Sequence, residues 1–200
     1  MALLKAREAG ALRTYFTDLD RASVGAIADR FGAFVPADRL KMLPDLPSQF
    51  ESDREFRDSY RAETGQKAPE GLTGFTRPDS PAHVSVKNLE NAPEVVLHER
   101  LHQLASPEAR RLLGNQLYEG VTQDLAIELL GREPQAGDLT GYPQERERAH
   151  TLRNLVGSEA VCRAYFQGDA KALRTVIDRT MALRALGSVE EKIKELPPLQ

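Results

Sequence analysis

The stretch from Pro93 to Leu130, PEVVLHERLHQLASPEARRLLGNQLYEGVTQDLAIELL, decides how this chain folds. Pro93 suits the first turn of a helix, where the amide it lacks would have no intrahelical partner. That helix is expected to run to about Ala105. Ser106-Pro107-Glu108 then reads as an N-cap, a first-turn proline and an acidic first-turn residue. A second helix is therefore expected at once, continuing to about Leu130 and ending at Gly131.

Within the first of these helices, His98-Glu99-Arg100-Leu101-His102 forms the pattern HExxH. A step of four residues turns a helix by only about 40°, so both imidazoles project from one face. Two such nitrogens can grip a zinc ion, with the glutamate to the side, beside a metal-bound water. Val95, Leu101 and Ala105 flank the histidines and would supply a dry wall. A catalytic zinc takes three protein ligands and keeps a fourth position open. The three-histidine extension of the motif needs glycine at 105 and histidine at 108, where this chain has Ala105 and Glu108. A glutamate from the next helix is the alternative, and Glu119 in Tyr118-Glu119-Gly120-Val121-Thr122 fits. On a helical wheel Glu119 shares a stripe with Leu112, Ala126 and Leu130, so its carboxylate needs a counter-charge. Zinc would supply one; an arginine such as Arg111 or Arg153 is the competing partner. Glu108 and Asp124 are lesser ligand candidates, Glu108 being already explained by the helix dipole. Gly120 would let a neighbouring helix approach closely.

Upstream, the first sixty residues read as helical, with Leu4, Ala11, Leu12, Tyr15, Phe16 and Leu19 at helical spacings. Residues 23–34 continue this pattern before Pro36, Pro44 and Pro47. Ser52 to Thr64 is a charged helix closed by Gly65. A loop-rich passage over residues 65–81 precedes and encloses two extended candidates, Leu72 to Thr76 and Ala82 to Val86. Downstream, a loop over residues 132–141 leads to a helix opened by Pro143. Gly157-Ser158 breaks or kinks it, and Asp169 and Ser188 are read as caps of two closing helices. The expected fold is α+β and predominantly helical, a single domain over residues 1–200. It has a helical portion, 1–64, followed over 65–200 by the sheet, the active-site helices and the closing helices.

Composition excludes some functions. The chain has 200 residues, 40% of them hydrophobic, which is enough for a substantial core. Lys and Arg number 27 against 30 Asp and Glu, a net charge of -3, which argues against a dedicated nucleic-acid binder. No stretch approaches the roughly 18 to 20 apolar residues of a membrane span. Lys5, Arg7 and Glu8 interrupt any apolar signal region, so the chain is expected to be soluble, with no visible export address. The lone cysteine, Cys162, is expected to be a small core residue. It excludes an internal disulfide framework and a cysteine-built zinc site.

The motif His98-Glu99-x-x-His102, followed by Tyr118-Glu119-Gly120-Val121-Thr122, resembles the gluzincin group of zinc metallopeptidases. The resemblance covers residues 72–168. It implies a zincin fold with a small sheet, an active-site helix and a glutamate-bearing helix packed against it. It also implies an edge strand along the cleft that pairs with extended substrate, a place that residues 82–87 would fill. His98, His102 and Glu119 would then be zinc ligands and Glu99 the general base of peptide hydrolysis through a metal-activated water. An oxyanion donor is needed from beyond the glutamate helix, with Tyr142 ranked ahead of His150 and Arg153. His150 is expected in solvent, and His83 as an ordinary strand residue. The substrate would be a folded protein, a short peptide or a cell-wall peptide crosslink, and an inhibitor or delivery partner is open. Compact domains of this kind also end bacterial secreted effectors and toxins. Two other readings compete: a non-enzymatic zincin-like binding module, and a helical interaction domain in which HExxH arose by chance.

Overall fold

In the computed structural model, residues 2–87, 89–131, 142–175 and 178 are described. A long first helix, α1 (Ala2–Phe31), is exposed over residues 10–15 and then buries Phe16, Ser23, Ile27 and Phe31. Their spacings of seven, four and four keep them on one side of the helix. A short α2 (Ala37–Met42) and a 3-10 turn (Leu43–Asp45) follow. Next come strand β1 (Gln49–Glu51) and α3 (Asp53–Thr64). Helix α3 has the boundaries its sequence signals predict. The Ser52 hydroxyl accepts from the Glu55 amide, the Glu55 carboxylate accepts in return, and Gly65 closes the helix in the left-handed region.

Strands β2 (Gly74–Phe75) and β3 (His83–Ser85) fall inside the two extended candidates. The sheet order is β1-β3-β2, with β1 parallel and β2 antiparallel to β3. This corrects one expectation: residues 82–87 hold the central strand, and the edges are β1 and β2. The cause is the three-residue β1, too short for an alternating pattern, which pairs with a strand 34 positions later (Gln49 with His83). His83 also does more than occupy a strand position. It is buried, its Nδ1 lies 3.1 Å from Glu51 and its Nε2 2.8 Å from Glu63, and its ring stacks on Phe75. It thereby joins β1, β2 and α3.

Helix α4 (Ala92–Leu104) carries HExxH. The expected single helix from 106 to 130 is two helices, α5 (Ala109–Leu113) and α6 (Asn115–Leu130). Gly114 separates them at φ 73°, a conformation that side-chain-bearing residues rarely adopt. Gly131 ends α6 as predicted. Helix α7 (Pro143–Val156) and α8 (Ser158–Cys162) are divided at Gly157, and a π-helical turn (Arg163–Gln167) follows. The Asp169 carboxylate accepts from the Ala172 amide at the start of a helix over residues 170–175, a cap the sequence predicted. The loop expected at 132–141 and the cap expected at Ser188 lie outside the described residues.

The fold is thus α+β and mostly helical. Its main core joins Ile27 and Phe31 of α1 to Leu101, Leu104, Val121 and Leu125 and to the buried Val161, Tyr165 and Phe166. A smaller cluster of Val84, Val95 and Val96 packs the sheet against α4. Cys162 is buried, and burial pushes its thiol up to about 11, consistent with a packing residue. Among the described residues no helix is long and apolar enough to cross a membrane.

Arg100, the first variable residue of HExxH, is fully buried. Its guanidinium donates to both oxygens of Asp20 in α1, to the carbonyl of Leu46 and to Gln103. Removing one partner of a buried pair strands the other charge and typically costs about 3–5 kcal/mol. Asp20→Ala is expected to lower stability by about 3 kcal/mol, toward the bottom of that range because other acceptors of Arg100 remain. Urea denaturation followed by circular dichroism measures this, and a change of a few tenths of a kcal/mol would show that the pair is dispensable.

Candidate metal centre

Helices α4 and α6 lie side by side and bring together the three residues that sequence spacing singled out. The Nε2 atoms of His98 and His102 are 3.0 Å apart, and Glu119 Oε2 lies 3.0 Å from His102 Nε2 and 3.4 Å from His98 Nε2. The two imidazoles therefore converge. Zinc bonds of about 2.0–2.1 Å in a tetrahedron place neighbouring ligand atoms about 3.3 Å apart, so the three donor atoms stand near three of its corners. Among the described residues this is the one group of three or more His, Cys, Asp or Glu close enough to share a metal ion.

Gly120, next to Glu119, faces α7: a Cβ there would lie 2.1 Å from the carbonyl oxygen of Glu145. Only a glycine lets α7 come this close, and α7 carries Tyr142 at its N-cap. The half-buried Tyr142 ring lies parallel to the His98 ring, centroids 6.1 Å apart. Burial, reinforced by Glu119 and Glu99, raises the Tyr142 pKa, so the phenol keeps its proton at neutral pH. The two other candidate donors sit elsewhere. Arg153 donates to Asp124 and Glu128, and the exposed His150 lies 3.6 Å from Asp124. Glu108 bonds Arg111, and Asp124 is held by Arg153, so neither lesser ligand candidate joins the cluster.

The arginine at Glu119 is Arg110, which neither of the two expected arginines anticipates. Its Nη2 donates to Glu119 Oε1 at 3.1 Å, and its guanidinium lies 4.9 Å from the centre of the Tyr118 ring. Glu119 thus gives one oxygen to Arg110 and turns the other to the histidines. Around this cluster the sequence reading missed four further groups. Gln123 Oε1 accepts from His98 Nδ1 at 2.9 Å, and Gln123 Nε2 donates to the buried Glu94 at 2.5 Å. His102 Nδ1 lies 2.9 Å from the Tyr118 hydroxyl. Gly74 in β2 packs on Glu99, where a Cβ would come within 2.6 Å of both Glu99 Oε1 and Val95 Cγ1. A signal for two of these was present: Glu94 is four residues before His98, and Gln123 is four after Glu119, each on its ligand's own helix face.

Burial dominates the electrostatics. It pushes His102 down to about 4, favouring the neutral imidazole that a metal requires. For His98 burial acts in the same direction, but Glu119, Glu99 and Gln123 together outweigh it and the pKa is raised. Burial would raise Glu119, yet its hydrogen bonds to His102 and His98 hold it well below the usual carboxylate range. Glu99 is buried, makes no hydrogen bond among the described residues, and is pushed up to about 7, chiefly by burial.

No protein-family model, curated protein or solved structure matches the chain.

The Glu99 shift has a stability consequence in the metal-free protein. Its folded pKa of about 7 lies above the ordinary glutamate value of 4.5. The stability associated with protonated Glu99 is therefore fully present below pH 4.5 and is lost as pH rises through 7. Glu99→Gln removes that loss. The metal-free variant is expected to be more stable than the parent above pH 7 by a few kcal/mol, at about 1.4 kcal/mol per pH unit of displacement. Melting curves at pH 4.5 and pH 8 test this, and an equal difference between the two proteins at both pH values would contradict it.

Proposed function

We propose that this protein is a zinc-dependent peptidase with a zincin-like arrangement, His98, His102 and Glu119 holding the metal and Glu99 acting as general base. The observation that carries the reading is the convergence of three donor atoms, 3.0 to 3.4 Å apart, beside the buried carboxylate of Glu99. The donor set, two imidazoles and a carboxylate, is one of the sets zinc uses in hydrolytic sites. Zinc bound there would supply a Lewis acid and a water acidified toward neutral pH.

The chain's own groups have the remaining work. Glu99 takes a proton from the attacking water and delivers it to the nitrogen of the cleaved bond, so that one carboxylic acid and one amine leave. A base whose pKa is near 7 when metal-free can both accept and return that proton at neutral pH. Tyr142, kept protonated, donates a hydrogen bond to the carbonyl oxygen as negative charge develops on it. Strand β2 favours a peptide over other substrates. It lies against Glu99 through Gly74, and among the described residues it pairs only with β3. Its other edge can therefore align an extended chain by main-chain hydrogen bonds.

Measurements on the parent protein and two variants test the reading. The protein should bind one zinc ion per chain and cleave a casein or peptide-library substrate, with cleavage lost on chelation and restored by zinc. Glu99→Gln should keep the zinc and lose activity by about 10²–10⁴-fold. Tyr142→Phe should lower kcat about 10²-fold, with KM little changed. Full activity in Glu99→Gln, or zinc binding without cleavage of any peptide, would overturn the assignment. The second outcome would favour a binding module.

A further inference from the structure

We infer that Glu94, acting through Gln123, is a positioning residue that fixes His98 in the one neutral tautomer able to ligate a metal through Nε2. The inference rests on the metal reading of the His98–His102–Glu119 cluster and concerns what prepares that cluster before any metal arrives.

Hydrogen-bond polarity fixes the direction of each contact from Glu94 to His98. Glu94 is buried, and its Oε1 accepts from the Gln123 side-chain amide. The Gln123 amide group on its side must therefore be the NH2, which donates to Glu94 Oε1 at 2.5 Å. That turns the Gln123 carbonyl oxygen toward His98 Nδ1 at 2.9 Å. A carbonyl oxygen cannot donate, so Nδ1 must carry the hydrogen. The neutral ring then has its lone pair on Nε2, the atom that faces His102 and Glu119. A reversed amide would place two acceptors together at Glu94 and force the lone pair of His98 away from the cluster.

His102 provides an internal contrast. Its Nδ1 faces the Tyr118 hydroxyl at 2.9 Å and Thr122 Oγ1 at 3.4 Å, and a hydroxyl can either donate or accept. Its Nε2 lies 3.0 Å from Glu119 Oε2, which only accepts. Without metal, His102 is free to place its proton on Nε2 and must move it to Nδ1 when metal binds. One ligand is thus preset by a fixed-polarity relay, and the other is switchable through a hydroxyl. Outer partners of this kind typically change metal affinity by about 10–100-fold when they are replaced.

The tautomers are read directly by long-range nitrogen–proton NMR of the metal-free, histidine-labelled protein at pH 9. In the parent protein His98 should show the Nδ1–H pattern. Glu94→Gln replaces the accepting carboxylate by an amide that satisfies Gln123 in either orientation. The second tautomer should then appear at His98, and zinc affinity by competition with a chromophoric chelator should fall about 10-fold or more. The double variant Glu94→Gln with Gln123→Glu restores an acceptor-only group facing His98 Nδ1, and should restore both the Nδ1–H pattern and most of the affinity. A loss of packing alone would not be rescued in this way. An Nε2–H pattern at His98 in the parent protein, or an unchanged pattern in Glu94→Gln, overturns the inference, and the first of these needs no variant to fold. The outcome for the metal reading is separate. A preset His98 in a protein that binds no zinc would leave the relay standing and remove the proposed function. Tight zinc binding without the preset would do the reverse.

Discussion

The structure is organised around charge buried on α4. In thirteen residues this helix buries Glu94, His98, Glu99 and Arg100 as well as its apolar side chains. A buried charge left without a partner costs several kcal/mol, so the surrounding elements are constrained to bring partners to defined points. Arg100 draws in Asp20 from α1 and the Leu46 carbonyl before β1. Glu94 and His98 draw in Gln123 from α6. Apolar contact between these helices would tolerate sliding by a turn; polar partners at one height do not. The core clusters supply most of the burial, and the charges select the register in which that burial occurs.

The same distinction explains what could be read from the sequence. Local signals were reliable: the span of α3 from Ser52 to Thr64, the ends at Gly65 and Gly131, and the position of α4 are all functions of neighbouring residues. HExxH belongs to this class, because its two histidines share a helix face by spacing alone. Nonlocal features were opaque. Strand β1 exists because β3 offers it a ladder, and nothing within Gln49–Glu51 announces it. The central place of β3 depended on that hidden partner.

Gly114 lies between these cases. Glycine inside a helix costs only about 1 kcal/mol relative to alanine, so its presence between Leu113 and Asn115 was compatible with one continuous helix. Continuity would have kept Arg110 and Glu119, nine residues apart, about 13 Å from one another along the axis. The break folds α5 back and brings the guanidinium to 3.1 Å from the carboxylate. An arginine partner for Glu119 was expected on charge grounds, but its identity depended on a bend that sequence periodicity could not distinguish. The buried relay of Glu94 and Gln123 has a similar standing. Both lie at helical steps of four from the motif residues, but spacing alone does not say which of two facing helices supplies the acceptor.

Glu99 is the exception to the rule that organises α4. Arg100, Glu94 and His98 are each held by a hydrogen bond, and Glu99 has none among the described residues. It is packed instead against the glycine of a neighbouring strand, beside the apolar Val95. Stability alone disfavours this choice, since glutamine or methionine would fill the space without an ionisable group. A site that only holds a metal has no use for it either, because the three converging donors already supply the ligand set. A buried carboxylate raised to about 7 and adjacent to those donors has, however, the proton affinity of a base that must also give its proton back. Such groups are retained where function opposes stability. That opposition is the physical ground on which hydrolysis, and not simple binding, is proposed for the site.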